Sequence, residues 1–133
     1  MKRFVDANVF IYALTDHPRF RMTAKNILQR IKSGEIASTS LPALCEVAWV
    51  LEAMGKQSQI KPTLEKILSY ASLEVLGFDA DGTLVGAKNM MTYQIDFNDG
   101  VNVTIMERCG ISEVYSNDKE HLRKVDFIKL IFE

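Results

Sequence analysis

The sequence lacks any apolar run that approaches a membrane span in length, lacks low-complexity tracts, and has only three prolines in 133 residues. A membrane-spanning helix needs about 20 mostly apolar residues, so none is expected. Disordered chains have few hydrophobic residues, whereas 47% of these residues are hydrophobic. Asp6 interrupts the N-terminal segment where the apolar core of a signal peptide would lie. We therefore expect one soluble globular domain over residues 1–133, located in the cytoplasm.

Cysteine and histidine are also scarce, with two residues of each. Cys45 and Cys109 belong to no C-x-x-C pair and have no histidine at ligand spacing, so we expect both to be small buried hydrophobic residues. His17 and His121 lie beside charged residues in predicted exposed loops. A zinc site built from thiolates and imidazoles is therefore not expected.

The formal net charge of −1 is unevenly distributed along the chain. Residues 1–32 hold seven basic and two acidic residues, and the remainder holds nine basic and fifteen acidic residues. Two interpretations of the basic segment 19–32 stay open at this point. It is either a solvated helix face or a phosphate-contacting flank beside an acidic pocket.

Apolar periodicity and turn residues predict alternating strands and helices. The predicted strands are 2–6, 36–39, 73–78, 113–116 and 127–132. The predicted helices are 9–14, 19–32, one capped by Ser40 that ends near Gly55, 59–72, 84–93 and 97–109. Such alternation implies a mainly parallel sheet covered on both faces, which is an α/β fold with three α/β/α layers.

Four acidic residues lie at the ends of apolar segments that are far apart in the chain: Asp6, Glu46, Asp99 and Asp118. In parallel sheets the functional site lies beyond the carboxyl ends of the strands, so we expect these carboxylates to gather at that edge. Clustered carboxylates repel one another unless a cation lies between them. Oxygen ligands without histidine or cysteine favour Mg²⁺ or Mn²⁺.

Metal sites of this kind typically serve phosphodiester hydrolysis. We expect Asp6 and Asp99 to hold the metal directly, Glu46 to ligate it or orient a water, and Asp118 to complete a second, weaker metal position. Simpler interpretations stay open for each acid. Asp6 fits an N-cap, Asp118 fits a turn residue, and Glu46 fits an ion pair with an unseen partner. Asp96, three residues before Asp99, is expected to be a helix cap.

The ordered set of motifs resembles the PIN-domain ribonucleases, and among them the VapC-type toxins. The matching elements are Asp6-Ala7-Asn8-Val9 after the first strand, Glu46 within helix 44–51, Asp96-Phe97-Asn98-Asp99, and Ser116-Asn117-Asp118-Lys119. The resemblance implies that Asp6, Glu46, Asp99 and Asp118 are the catalytic metal ligands, with Asn8 and Ser116 as polar neighbours. It further implies an RNA substrate, a homodimer and a small antitoxin partner. Two positions depart from the family pattern: Ala7 replaces a common Ser or Thr, and Gly100 replaces a usual alanine.

Two other functions stay open. Residues 73–84, with Asp79 and Asp81, match the strand and D-x-D-G-T-L signature of haloacid-dehalogenase-type phosphatases. That fold normally begins at this motif, and only 54 residues follow Asp79, too few for the rest of its sheet. A helix-capping role explains both acids instead. The second alternative is a non-catalytic RNA-binding domain, which would be expected to have lost one of the four carboxylates.

Overall fold

The computed structural model describes residues 2–133, and within them one sheet contains five strands. The strands are β1 Arg3–Val5, β2 Ala37–Ser40, β3 Leu73–Leu76, β4 Glu113–Tyr115 and β5 Lys129–Ile131. The helices are α1 Ala7–Leu14, α2 Arg21–Lys32, α3 Leu41–Ala53, α4 Ile60–Leu68, α5 Ala80–Tyr93 and α6 Phe97–Arg108, with 3-10 turns at Gln57–Gln59 and Leu122–Lys124. The strand order is β3-β2-β1-β4-β5, and every pairing is parallel.

Neighbouring residues of the central strand β1 pack on opposite faces of the sheet. Phe4 is fully buried in a core that includes Val103 and Met106 of α6. Val5 is fully buried in a second core that includes Phe10 of α1 and Ile27 of α2. Side chains alternate between the two faces of a strand, so one short strand supports both cores. The predicted three-layer α/β/α class with a parallel sheet is confirmed.

The predicted elements are present, but their bounds differ. The helices predicted over 9–14 and 84–93 begin earlier, at Ala7 and Ala80, and other elements are shorter than expected. The helix predicted over 59–72 is helical only over Ile60–Leu68, after the turn at Gln57–Gln59. The last strand covers Lys129–Ile131 rather than 127–132, because its pairing with β4 ends where Tyr115 meets Ile131. Strand bounds depend on pairing with neighbours, which local sequence does not specify.

The burial predicted for the two cysteines is wrong. Cys45 and Cys109 are both exposed. Cys45 lies on the outer side of α3, next to the exposed Trp49, and Cys109 is the C-terminal cap of α6. Within residues 2–133, no helix combines the length and the hydrophobicity that crossing a bilayer requires.

Polar side chains lie at the starts of three helices, two of which begin directly after a strand. Asp6 follows β1 and caps α1, and Ser40 ends β2 and caps α3 with its hydroxyl on the Ala43 N–H at 3.0 Å. Asp96 caps α6 with its carboxylate on the Asp99 N–H at 2.8 Å. A side-chain acceptor at the N-cap satisfies a backbone N–H that the helix leaves free. Asp6, Ser40 and Asp96 therefore place oxygen-bearing side chains at the starts of α1, α3 and α6.

Candidate active site

Asp6 is held rigidly where β1 meets α1. Its side chain is 4% exposed, Oδ1 accepts the Ala7 N–H at 2.9 Å, and Oδ2 accepts the Ser116 hydroxyl at 2.7 Å. The N-cap interpretation of Asp6 is therefore correct. Capping occupies one oxygen and leaves the carboxylate at the carboxyl edge of the central strand, so it does not exclude a metal-binding role.

Ser116, at the end of β4, connects several residues of the site. Besides donating to Asp6, its hydroxyl oxygen accepts the Asn8 amide N–H at 3.2 Å and the Asp118 backbone N–H at 3.0 Å. One buried hydroxyl thus fixes β1, α1 and the segment after β4 relative to one another. The buried amide oxygen of Asn8 has no hydrogen-bond partner among the described residues. It is an acceptor available to a donor within the site.

Glu46 reaches the same region from the second turn of α3. Its carboxylate is half-buried, and Oε1 accepts the Asn98 amide N–H at 3.1 Å. Asn98 lies in the first turn of α6, directly before Asp99. The amide of Asn98 therefore orients Glu46 toward the acidic start of α6. The ion-pair interpretation of Glu46 is wrong, since no Lys or Arg of residues 2–133 lies within 4.0 Å of its carboxylate.

The charges of the acidic side chains act strongly on one another. Burial raises the pKa of Asp6 to about 6, with the charges of Asp118 and Asp96 adding to the rise and the Ser116 hydrogen bond opposing it. Burial, followed by the charges of Asp6 and Asp96, raises the pKa of Glu46 to about 7.

Asp99 shows the largest rise in pKa. It is 6% exposed, and burial is the main cause, followed by the charges of Asp6, Asp96, Asp118 and Glu46. The side chains of Asp6, Asp99 and Asp118 form no ion pair within the described part of the chain. The structure therefore brings Asp6, Glu46, Asp99 and Asp118 close enough to repel one another, without a cationic side chain between them. Such an arrangement fits a hard divalent cation bound by oxygen ligands.

Asp118 acts as a turn residue. Its Oδ1 accepts the backbone N–H groups of Glu120 at 3.1 Å and His121 at 2.9 Å. The turn interpretation is thus correct, and it leaves the second carboxylate oxygen of Asp118 without a hydrogen bond from the described residues. The turn also determines where His121 lies.

His121 is half-buried rather than exposed as expected, and it borders the acidic cluster. Its Nε2 lies 3.9 Å from Asp96 Oδ2, and its buried Nδ1 lacks a hydrogen-bond partner among residues 2–133. One ligand atom each from Asp96, Asp99 and His121 lie within 4.8 Å of one another. The cap prediction for Asp96 is correct, but only one of its oxygens is used for capping. In the sequence, the D-x-x-H spacing from Asp118 to His121 is the pattern that could have placed His121 near the acidic residues.

Asp79 and Asp81 lie apart from this cluster, at the edge strand of the sheet. Asp79 caps α5 by accepting the Gly82 N–H at 2.8 Å, and Arg108 binds Asp79 at 3.2 Å and Asp81 at 3.1 Å. The capping bond and the Arg108 guanidinium hold the pKa of Asp79 below its usual value. Both acids are exposed. The predicted capping role is correct for Asp79, whereas Asp81 lies in the first turn of α5 and pairs with Arg108 instead.

The PIN domain family matches residues 3–128 of the chain. The chain therefore belongs to the PIN domain family, and the resemblance seen in its sequence motifs is confirmed. A search of curated protein sequences finds no match.

Solved structures share the fold over nearly the whole chain. Mycobacterium tuberculosis VapC20, described as a sarcin-ricin loop cleaving toxin, has a TM-score of 0.77 and 18% identity, covering 90% of this chain and 92% of that one. VapBC2 from Rickettsia felis, bound to a DNA fragment from its promoter, has a TM-score of 0.73 and 19% identity, with 98% of both chains covered. DNA-bound VapBC from Salmonella typhimurium has a TM-score of 0.70 and 16% identity, again with 98% of both chains covered. At these identities the likeness concerns the fold, which is that of VapC-type proteins.

Proposed function

We propose that this chain is a metal-dependent endoribonuclease that hydrolyses RNA phosphodiester bonds and serves as the toxin of a toxin–antitoxin pair. The observation that carries the proposal is that neighbouring acidic charges, that of Asp118 among them, help to raise the pKa values of Asp6, Glu46 and Asp99, while none of these four carboxylates has a cationic partner among residues 2–133. Uncompensated buried carboxylates are costly, and a functional cation removes that cost. Membership of the PIN domain family supports the same chemistry.

The residues present fit Mg²⁺ or Mn²⁺. Asp6 and Asp99 would hold the ion directly, with Glu46 and Asp118 completing the ligand set and Asp96 and His121 at its border. When bound, the cation lowers the pKa of an attacking water and stabilises charge on the phosphate. A set dominated by carboxylate oxygens favours these hard cations over zinc.

The protein's own residues hold the ligands in place. Ser116 and the Ala7 N–H fix both oxygens of Asp6, and Asn98 holds Glu46 Oε1. With its pKa raised to about 7, Glu46 Oε2 gains or loses a proton near neutral pH in the metal-free protein.

The proposed partners follow from the same resemblance. Several structures that share the fold are toxin–antitoxin assemblies, including one from Klebsiella pneumoniae, which supports a small antitoxin partner. A groove of about 220 Å³ with an almost wholly apolar lining includes the exposed side chains of Leu41, Trp49 and Phe97. This face supports a homodimer.

We further propose that residues 1–133 form one nuclease domain that works in the cytoplasm, where its RNA substrate would be found.

The test is cleavage of RNA by the purified protein. We expect cleavage with Mg²⁺ or Mn²⁺ and none with EDTA. Asp6→Asn and Asp99→Asn should each lower kcat by at least about a hundredfold, because loss of a ligand misplaces the ion. Asp81→Asn is the matched control: it makes the same chemical change at an exposed acid and should leave the rate within about twofold.

The same experiment separates the alternatives. If the chain were a phosphatase of the haloacid-dehalogenase type, it would form a phosphoaspartate at Asp79 and lose phosphatase activity in Asp79→Asn. If it is the proposed nuclease, Asp79→Asn should cleave RNA normally. A non-catalytic RNA-binding domain would bind RNA but cleave none with either metal. Wild-type rates in both Asp6→Asn and Asp99→Asn would overturn the site assignment.

A further inference from the structure

A cavity of about 670 Å³ lies next to the acidic cluster. Ser116, whose hydroxyl binds Asp6, lines this cavity together with Asn117, the next residue along the chain. The cavity therefore adjoins the cluster of Asp6, Glu46, Asp99 and Asp118 at the end of β4. A volume of about 300–1,000 Å³ is typical of sites that hold small ligands, so one nucleotide unit fits.

The side chains that line the cavity carry charge opposite to that of the acidic cluster. Arg19, Lys119 and Arg123 line it, and its lining includes no acidic residue. All three cationic side chains are exposed. They come from three separate segments: the loop before α2, the turn after β4, and the 3-10 turn at Leu122–Lys124.

These three cations form no ion pair with any carboxylate of residues 2–133. Four other basic residues of the described chain are paired, namely Lys2, Arg3, Lys25 and Arg108; Arg3 binds Glu113 at 2.9 Å, and Arg108 binds the two acids at the start of α5. The charges around the cavity are therefore free to bind an external anion. Three positive charges around a concave surface also focus the electric field and attract anions from solution.

An acidic active site repels the phosphate backbone that it must cleave, and cations beside it offset this repulsion. We propose that Arg19, Lys119 and Arg123 form an anchoring site for the RNA phosphodiester adjacent to the one being cleaved. This inference rests on the proposed ribonuclease function and assigns substrate-positioning residues to it. Arginine and lysine binding of phosphates is the main source of nucleic-acid affinity and contributes no sequence preference by itself.

The cavity involves only a small part of the basic N-terminal quarter of the chain. Only Arg19 of that segment lines the cavity, at its very start. Lys25 instead pairs with Asp16 at 2.5 Å. Of the two interpretations of residues 19–32, a phosphate-contacting role is therefore proposed for Arg19 alone, together with Lys119 and Arg123 from the other end of the chain.

The experiment measures equilibrium binding of a fluorescently labelled single-stranded RNA in EDTA, by anisotropy, over a range of KCl concentrations. Each single-strand phosphate contact contributes about 0.7 to the slope of log K against log [KCl]. The combined variant Arg19→Ala, Lys119→Ala, Arg123→Ala should therefore lose about 2 units of slope and bind RNA about tenfold or more weakly. Its KM for RNA cleavage should rise by a similar factor while kcat stays within about threefold.

Two controls accompany this variant. Lys61→Ala removes an exposed lysine of α4 that does not line the cavity, and it should leave slope and KM unchanged. The combination Arg19→Lys, Arg123→Lys keeps the charges and should retain most of the slope. Because all three positions are exposed, the triple variant should melt within a few degrees of the wild type.

The outcomes separate this inference from the proposed function. Cleavage by the wild type, with an unchanged slope and KM in the triple variant, would overturn the anchoring site while the function stands. Loss of slope in the triple variant of a protein that cleaves no RNA would overturn the function and the position of the site next to a cleaved phosphodiester, while RNA binding by the three cations would stand. Unchanged RNA binding combined with lost binding of an acidic peptide would show that the cavity serves a protein partner instead, and would also overturn the inference.

Discussion

The Cα atom of Gly100 in α6 faces the backbone of Gly86 in α5 so closely that a Cβ on Gly100 would overlap the Gly86 carbonyl oxygen. A Cβ on Gly86 would in turn lie 2.7 Å from Cγ2 of Val101. The two helices thus pack backbone to backbone directly beside Asp99. This contact explains why glycine follows Asp99 here where the family pattern has alanine.

Gly100→Ala should therefore destabilise the protein, although alanine favours helices by up to about 1 kcal/mol over glycine. Overpacking of a tight contact costs about 1–3 kcal/mol, and the displaced atom here is backbone, which cannot rotate away. Urea unfolding measures the change. Thr92→Ala, at an exposed position of α5, is the control and should change stability by no more than about 0.5 kcal/mol. An equally stable Gly100→Ala would show that the helices separate readily.

Asp99→Asn should raise the melting temperature of the metal-free protein by several degrees at neutral pH. Folding of the wild type must there either bury a carboxylate that its acidic neighbours repel or take up a proton on Asp99, and asparagine avoids both costs. Mn²⁺ should stabilise the wild type by about 2.7 kcal/mol at about a hundredfold excess over Kd, and the variant by less. Thermal melting in EDTA and across a Mn²⁺ titration tests both effects. A less stable metal-free variant with an undiminished response to Mn²⁺ would show that the carboxylates do not share one metal-binding pocket.

The metal-free protein should lose stability as the pH rises through the acidic range. The pKa of Asp6 rises from 3.8 to about 6 on folding, and that of Glu46 from 4.5 to about 7. Between these values the folded protein binds more protons than the unfolded chain, so the free energy of unfolding falls as pH increases. For Asp6 alone the loss is about 3 kcal/mol.

Asp6→Asn keeps the N-cap and removes this titration, so its stability in EDTA should fall less between about pH 4 and pH 7 than that of the wild type. Melting temperatures across this range provide the measurement. An equally steep fall in both proteins would mean that Asp6 does not contribute to the pH dependence.

Ser116→Ala should destabilise the protein and impair metal binding together. The substitution leaves Asp6 Oδ2, the Asn8 amide and the Asp118 N–H without their shared partner, which costs about 1–3 kcal/mol. Loss of the hydroxyl also removes the hydrogen bond that lowers the pKa of Asp6, so that pKa should rise further. A higher Mn²⁺ concentration should then be needed for half-maximal RNA cleavage.

Ser69→Ala removes an exposed hydroxyl that bonds only to the Lys66 carbonyl and serves as the control for Ser116→Ala. Its free energy of unfolding should change by no more than about 0.5 kcal/mol, and its Mn²⁺ requirement should stay the same. If Ser116→Ala behaved like this control, the hydroxyl would not organise the site.

The order and type of the elements were predictable from the sequence because they depend on local periodicity and capping chemistry. Ser40 and Asp79 cap the helices that they were expected to cap. The positions of Asp6 and Asp96 at the starts of helices were likewise predictable. These signals are local, since a helix start or an alternating strand is defined by neighbouring residues.

The tertiary structure alone decided which faces meet. It exposed Cys45, placed His121 beside Asp96, and brought the backbones of α5 and α6 together at Gly100. It also brought Arg19 to the same cavity as Arg123, from opposite ends of the chain. Contacts between residues so far apart in sequence follow from the crossover connections of a parallel sheet and from close packing, and no local pattern records them.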